Sequence, residues 1–186
     1  MVNITINEKE LQVEEGKTIL EVAQDEGIEI PTLCYHKELS SYGACRLCLV
    51  EITGGGKPGL VVSCLSKVAD DLIIKTNTER VMKSRKIIIE LLLARSPNSK
   101  IIQKLAQEYD VGKPRFQPEN QEECILCGLC IRVCSEVVGR CAINFAKRGV
   151  ERKVQTPFEE ISEPCIGCGA CAYLCPTNVI KIESAD

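Results

Sequence analysis

The sequence predicts an α+β protein made of two small units joined by helices. Three observations carry that prediction. Apolar and polar residues alternate near the N-terminus, an apolar stripe recurs at helical spacing between residues 79 and 109, and one cysteine pattern occurs twice in the last third. A length of 186 residues also suits two small domains better than one large core. The expected division is 1–77, 78–118 and 119–186.

Val2, Ile4 and Ile6 alternate with polar residues, as do Leu11 and Val13, which predicts a hairpin turning at Asn7–Glu10. Thr18 and Glu21 have capping-box spacing and open a helix through Glu26, ended by Gly27. Leu47–Ile52 is rich in β-formers and stops at Gly54-Gly55-Gly56. That triplet reads as a flexible hairpin loop, since a phosphate cradle needs a lysine-serine or helix-opening context that is missing here. Leu60–Val62 and Leu72–Ile74 supply further short strands. Residues 79–95, ERVMKSRKIIIELLLAR, are apolar over more than half a helical circumference. After Ser96-Pro97 a second helix is expected to bury Ile101, Ile102, Leu105, Ala106 and Tyr109 on one face. These helices are expected to pack between the two flanking domains. Gly112, Pro114 and Pro118 mark a linker.

Net charge is −3 and no basic block stands out, so nucleic-acid binding has little support. Met1 leads into VNITINEKELQVEEG without a basic start and apolar run, and Ile87–Ala94 is too short and too flanked by charge to span a bilayer. The expectation is a cytoplasmic protein with no transmembrane segment. In that compartment thirteen cysteines read as metal ligands before they read as disulfides.

Eight of those cysteines form two copies of Cys-x2-Cys-x2-Cys-x3-Cys, CILCGLCIRVC and CIGCGACAYLC, the second followed by Pro176. This spacing is that of the bacterial two-cluster ferredoxin, in which the fourth cysteine of each run ligates the other cluster. Cys124, Cys127, Cys130 and Cys175 are thus expected to hold one [4Fe–4S] cluster, and Cys165, Cys168, Cys171 and Cys134 the second. Soft thiolates suit iron–sulfur cores, and x2 spacing wraps three of them and their intervening amides round one cube. Gly128 and Gly169 allow backbone turns that a side chain would obstruct. Zinc modules use paired ligands rather than four cysteines in eleven residues. Ser135 stands where a proline often follows, which predicts a local change of chain path. Cys141 lies outside both runs and is expected to be a buried free thiol.

Cys34, Cys45, Cys48 and Cys64 make a further set. The Cys45-x2-Cys48 pair with one distant cysteine on either side echoes the plant-type [2Fe–2S] arrangement, although its first gap is x10 rather than x4. A structural zinc site would use the same four residues.

IPTLCYH at 30–36, GACRLCLVEI at 43–52 and SCLS at 63–66 resemble the [2Fe–2S] domain that opens the large iron–sulfur subunit of respiratory complex I. The same domain opens [FeFe]-hydrogenases and the diaphorase subunit of NAD-linked [NiFe]-hydrogenases. The stretches CILCGLCIRVCSEVVGRCAINFAKRG and PCIGCGACAYLCPT resemble the two-cluster segment of the same proteins. The resemblance implies a β-grasp [2Fe–2S] ferredoxin domain, a short helical linker and a bacterial 2[4Fe–4S] ferredoxin-like domain. It makes Cys34, Cys45, Cys48 and Cys64 the ligands of the [2Fe–2S] cluster. Those relatives usually place a His-x3-Cys-x2-Cys-x5-Cys cluster just after the long helix. Here ARSPNSKIIQKLAQEYDV holds neither cysteine nor histidine, and the single histidine is His36, beside Cys34. Three clusters are therefore expected rather than four.

A chain ending at Asp186 is expected to carry no hydrogen-activating or molybdopterin domain, and it has no flavin- or nicotinamide-binding glycine fingerprint. The resemblance implies an electron-transfer subunit without a catalytic site of its own. Its expected partners are a flavoprotein NAD(P)H-oxidising subunit and a hydrogenase or formate dehydrogenase catalytic subunit, or ferredoxin, including in an electron-bifurcating assembly. The alternatives are a free-standing polyferredoxin carrier and a redox sensor or metal-stabilised scaffold.

Overall fold

The structure, a computed structural model, describes residues 1–116, 123–160 and 162–182. Pro118 and the expected 118/119 boundary lie outside the described residues. The N-terminal unit is a five-stranded mixed sheet built from β1 (Val2–Ile6), β2 (Lys9–Val13), β3 (Leu49–Gly54), β4 (Gly59–Val62) and β5 (Leu72–Lys75). Strand order is β2-β1-β5-β3-β4. The central pair β1–β5 is parallel, and β1–β2, β3–β4 and β3–β5 are antiparallel. This is the β-grasp. Helix α1 (Ile19–Asp25) crosses between β2 and β3 and buries Ile19, Leu20, Val22 and Ala23. They meet Ile4, Ile6, Val50 and Ile74 from alternate positions of the strands, which point to one face of the sheet.

Local chemistry sets the ends of these elements. The β1–β2 turn uses Asn7 at φ +58°, a conformation asparagine tolerates. The capping box at α1 is complete: the Glu21 amide donates to Thr18 Oγ1 at 3.2 Å, and the Thr18 amide donates to Glu21 Oε2 at 2.7 Å. Thr18→Ala removes the hydroxyl that accepts from the Glu21 amide, leaving the amide half of the box, and is expected to lower stability by about 1 kcal/mol, read as a lower denaturant midpoint of the holoprotein. The glycine triplet connects the antiparallel pair β3 and β4, and Gly55 there lies in close approach to the Asp71 backbone. A Cβ at Gly55, φ +69°, would lie 1.8 Å from the Asp71 carbonyl oxygen.

Helix α2 (Glu79–Arg95) begins at the Thr78 cap, whose hydroxyl accepts from the Val81 amide and donates to Glu51. Buried Arg85 on α2 donates to the Leu49 carbonyl at 2.6 Å and so ties the helix to β3. Helix α3 (Lys100–Glu108) packs on α2 and buries Ile102 and Ala106. Ile101 is exposed instead of facing inward, because it sits one residue round the helix from Ile102. Arg115 grips Glu90 with two 2.8 Å bonds and holds its carboxyl down to about 2. Among the described residues no helix is long and apolar enough to cross a membrane.

The C-terminal unit has little regular structure. It contains α4 (Leu129–Arg132), a π-helical turn at Val133–Val137, a two-stranded ribbon of β6 (Asn144–Ala146) and β7 (Lys153–Gln155), and α5 (Ala170–Tyr173). A second apolar core joins it to the rest. Leu33, Leu47, Ile89, Ile102, Ile125, Leu129 and Val133 meet there, so α2 and α3 lie between the two cysteine-bearing units.

Candidate metal centres

Cys34, Cys45, Cys48 and Cys64 are brought together and all are buried. The fold does this with strand ends: Cys48 directly precedes β3, Cys64 lies two residues past β4, and the Ser63 amide donates to the Cys48 carbonyl at 3.0 Å. Arg46 at φ +57° turns the loop between Cys45 and Cys48. The Cys45 amide donates to Cys34 Sγ at 3.4 Å. The thiols form two couples. Cys34 is lowered by its hydrogen bond to the Cys45 side chain, and Cys48 by that to Cys64. Within each couple the other member, Cys45 or Cys64, is pushed up by the same bond. One thiolate per couple is therefore favoured, which is the ligand form.

The two C-terminal runs exchange their fourth cysteines. A cavity of about 390 Å³ is lined by Cys124, Cys127, Cys130 and Cys175. A second, of about 260 Å³, is lined by Cys134, Cys165, Cys168 and Cys171. Gly128 at φ +72° and Gly169 at φ +74° open α4 and α5 in the left-handed region. At Gly169 a Cβ would meet Ile182 at 2.6 Å. Each short helix carries the third cysteine of its run into one cavity, and the following turn delivers the fourth to the other. In the first copy that turn is the π-helix containing Ser135, whose hydroxyl donates back to the Ile131 carbonyl at 3.1 Å. In the second copy the helix stops ahead of Cys175-Pro176. The path differs where Ser135 replaces proline, and Cys134 still reaches its cavity.

Burial pushes Cys127 up to about 11 and Cys130 up to about 12, with neighbouring cysteines adding to the shift. At Cys175 burial also raises the pKa, but it is outweighed by the amides of Ile180, Val179 and Thr177 and by the Thr177 hydroxyl, so the thiol ends lowered. Such amides are the donors a cluster sulfur needs. Among the described residues no three His, Cys, Asp or Glu side chains converge as a single metal ion requires. Four soft thiols spread round each cavity suit a polynuclear iron–sulfur core better than one tetrahedral ion. The donor set fits the clusters.

Cys141 corrects an expectation. It is exposed, because φ +52° just beyond Gly139 turns it out of the fold. Two groups were missed in the sequence. Arg132 is buried in the first copy, and Tyr42 stacks on Phe145 with centroids 6.1 Å apart. The available signal for Arg132 was a lone cation in the apolar stretch IRVC, opposite Tyr173 in the second copy.

Residues 1–79 match the 2Fe-2S iron-sulfur cluster binding domain family, and residues 123–179 match the 4Fe-4S dicluster domain family. An NADH-quinone oxidoreductase subunit of Rhizobium meliloti is 34% identical over 97% of this chain and 24% of its own length. NADP-reducing hydrogenase subunit HndD of Solidesulfovibrio fructosivorans is 30% identical over 97% of this chain and 36% of its own. The chain thus spans between a quarter and about a third of the length of these relatives. A crystal structure of NAD+-reducing [NiFe]-hydrogenase in the H2-reduced state superimposes with a TM-score of 0.73 at 27% identity, covering 83% of this chain and 74% of that one. The chain pairs a 2Fe-2S cluster binding domain with a 4Fe-4S dicluster domain, and it resembles the N-terminal iron–sulfur region of complex I and hydrogenase subunits.

Proposed function

We propose that this chain is the electron-transfer iron–sulfur subunit of a cytoplasmic NAD(P)H-linked oxidoreductase complex of the hydrogenase or formate dehydrogenase type. It relays single electrons between a flavoprotein subunit and a catalytic subunit or ferredoxin, including in an electron-bifurcating assembly. Its division is 1–77, 78–118 and 119–186. In this reading Cys34, Cys45, Cys48 and Cys64 hold a [2Fe–2S] cluster, one couple per iron. Cys124, Cys127, Cys130 and Cys175 hold one [4Fe–4S] cluster, and Cys165, Cys168, Cys171 and Cys134 the other. When bound, such clusters supply reversible one-electron carriers.

The observation that carries the reading is a shared core: Cys34, Cys45 and Cys127 are buried in one apolar cluster with Leu33, Leu47 and Ile125. The first site and the first cavity therefore adjoin across packed side chains that exclude water. The chain's residues contribute thiolates, amide donors such as those reaching Cys175, and that dry partition. Support for the partner class comes from the relatives, which are named as subunits of NADH- and NADP-linked enzymes.

Purification from anaerobic extract is expected to bring a flavoprotein along, at a mass well above 20.5 kDa. NAD(P)H should bleach the visible absorption only when that flavoprotein is present. Elution near 20.5 kDa, alone, would favour the free-standing polyferredoxin carrier. Iron analysis of the holoprotein is expected to give about ten atoms per chain, the content of one [2Fe–2S] and two [4Fe–4S] clusters.

A further inference from the structure

Arg132 sits on α4 between Cys130 and Cys134 and is only 8% exposed. Its guanidinium leaves its own unit and crosses to the loop of the first site. One Nη donates to the Cys34 carbonyl at 2.7 Å and the other donates to the Ser40 carbonyl. The guanidinium carbon stands 5.7 Å from the centre of the Tyr42 ring. Nε is buried without a partner.

No carboxylate pairs with this cation among the described residues. Glu136, one turn on, spends both oxygens on Ser40, taking its amide at 2.7 Å and its hydroxyl at 2.5 Å. The Glu136 carboxylate still acts on Arg132 through space, and the two carbonyls and the Tyr42 ring relieve the guanidinium further, but a cation this buried favours more negative charge beside it. The nearby candidates are the thiolate sites: Cys34 on one side, Cys130 and Cys134 on the same helical segment. The matching position of the second copy, Tyr173, is 89% exposed and crosses nothing. The feature therefore belongs to the junction and not to the repeat.

We propose that Arg132 is a positioning residue and the fixed counter-charge of the centre at Cys34, setting its distance from the first cubane and raising its reduction potential. The proposal rests on the assignment of Cys34, Cys45, Cys48 and Cys64 as [2Fe–2S] ligands. Reduction adds one negative charge to that centre, and a cation held in a dry, poorly screened partition favours the added charge. The fork on two carbonyls fixes the Cys34 loop against α4, a geometry that a lysine ammonium cannot reproduce.

The test is an EPR-monitored redox titration of iron-replete holoprotein. In R132Q, at a fixed poise near the midpoint, the reduced-to-oxidised ratio of the [2Fe–2S] signal is expected to fall about tenfold, equivalent to about 59 mV for one electron. Both cubanes should shift less. In R132K the ratio should stay within about threefold of wild type, while the magnetic splitting between the reduced [2Fe–2S] centre and its neighbour changes. An unchanged ratio in R132Q, or an equal shift at all three centres, overturns the counter-charge. Unaltered splitting in R132K overturns the positioning role, and this reading holds even if R132Q fails to load iron. A wild-type protein with no [2Fe–2S] signal would instead overturn the ligand assignment beneath the proposal.

Discussion

Cys175→Ser is expected to cost the holoprotein up to about four iron atoms, and the loss should come from the cubane of the run in which Cys175 does not lie. Cys175 lines the cavity of Cys124, Cys127 and Cys130, with Cys134 lining the other. Total iron cannot tell which cube has gone, but pairs of substitutions can. Adding Cys175→Ser to Cys124→Ser should remove nothing further, because both thiols serve one core. Adding Cys134→Ser to Cys124→Ser should strip both cubanes and leave about two irons per chain, those of the [2Fe–2S] cluster. The reverse pattern, with Cys134 redundant to Cys124, would show that each run holds its own cluster. The cause of the expected result is chain direction. The π-turn at Val133–Val137 carries Cys134 out of the first cavity, and the end of α5 carries Cys175 into it.

The second large effect is on order. Anaerobic chelation of all iron is expected to abolish hydrogen-exchange protection across residues 123–182, while amides of β1, β3 and β5 stay protected. The N-terminal sheet owns a core of fully buried Ile6, Ile19, Leu20, Val50 and Ile74, in which aliphatic side chains far outnumber the two thiols, Cys48 and Cys64, at its edge. In the C-terminal unit α4 and α5 are four residues each, and β6 and β7 three. Many of its buried apolar groups are themselves cysteines, among them Cys127, Cys130 and Cys175. Elements this short do not stand alone in water, so ligand binding there is folding free energy. Equal protection of both units after iron removal would contradict this account.

These same lengths explain what was legible in the sequence. Helix α2 was readable from Glu79 to Arg95 because seventeen residues of helical periodicity leave little ambiguity. The hairpin of Val2–Val13 and the capped α1 were readable for similar reasons, having local signals at Asn7, Thr18 and Glu21. The β6–β7 ribbon was not, since three residues hold too little of any period. Its place is set by contacts such as the Phe145 ring against Tyr42 and Arg152. The exposure of Cys141 and of Ile101 also depends on which neighbours the chain brings, information absent from spacing. Which cysteines line each C-terminal cavity was readable because a duplicated eleven-residue pattern encodes local geometry directly. The bridge from Arg132 to Cys34 spans 98 positions, and no local pattern records it.

One gradient remains in the placement of the sulfurs. All four at the first site are buried, those of the middle cavity are buried or half-buried, and Cys165 and Cys168 at the far cavity are exposed. A duplication would by itself yield a molecule alike at both poles. Sheathing one pole and baring the other gives this polypeptide a front and a back. Within this polypeptide, solvent reaches the thiols of one pole and not those of the other.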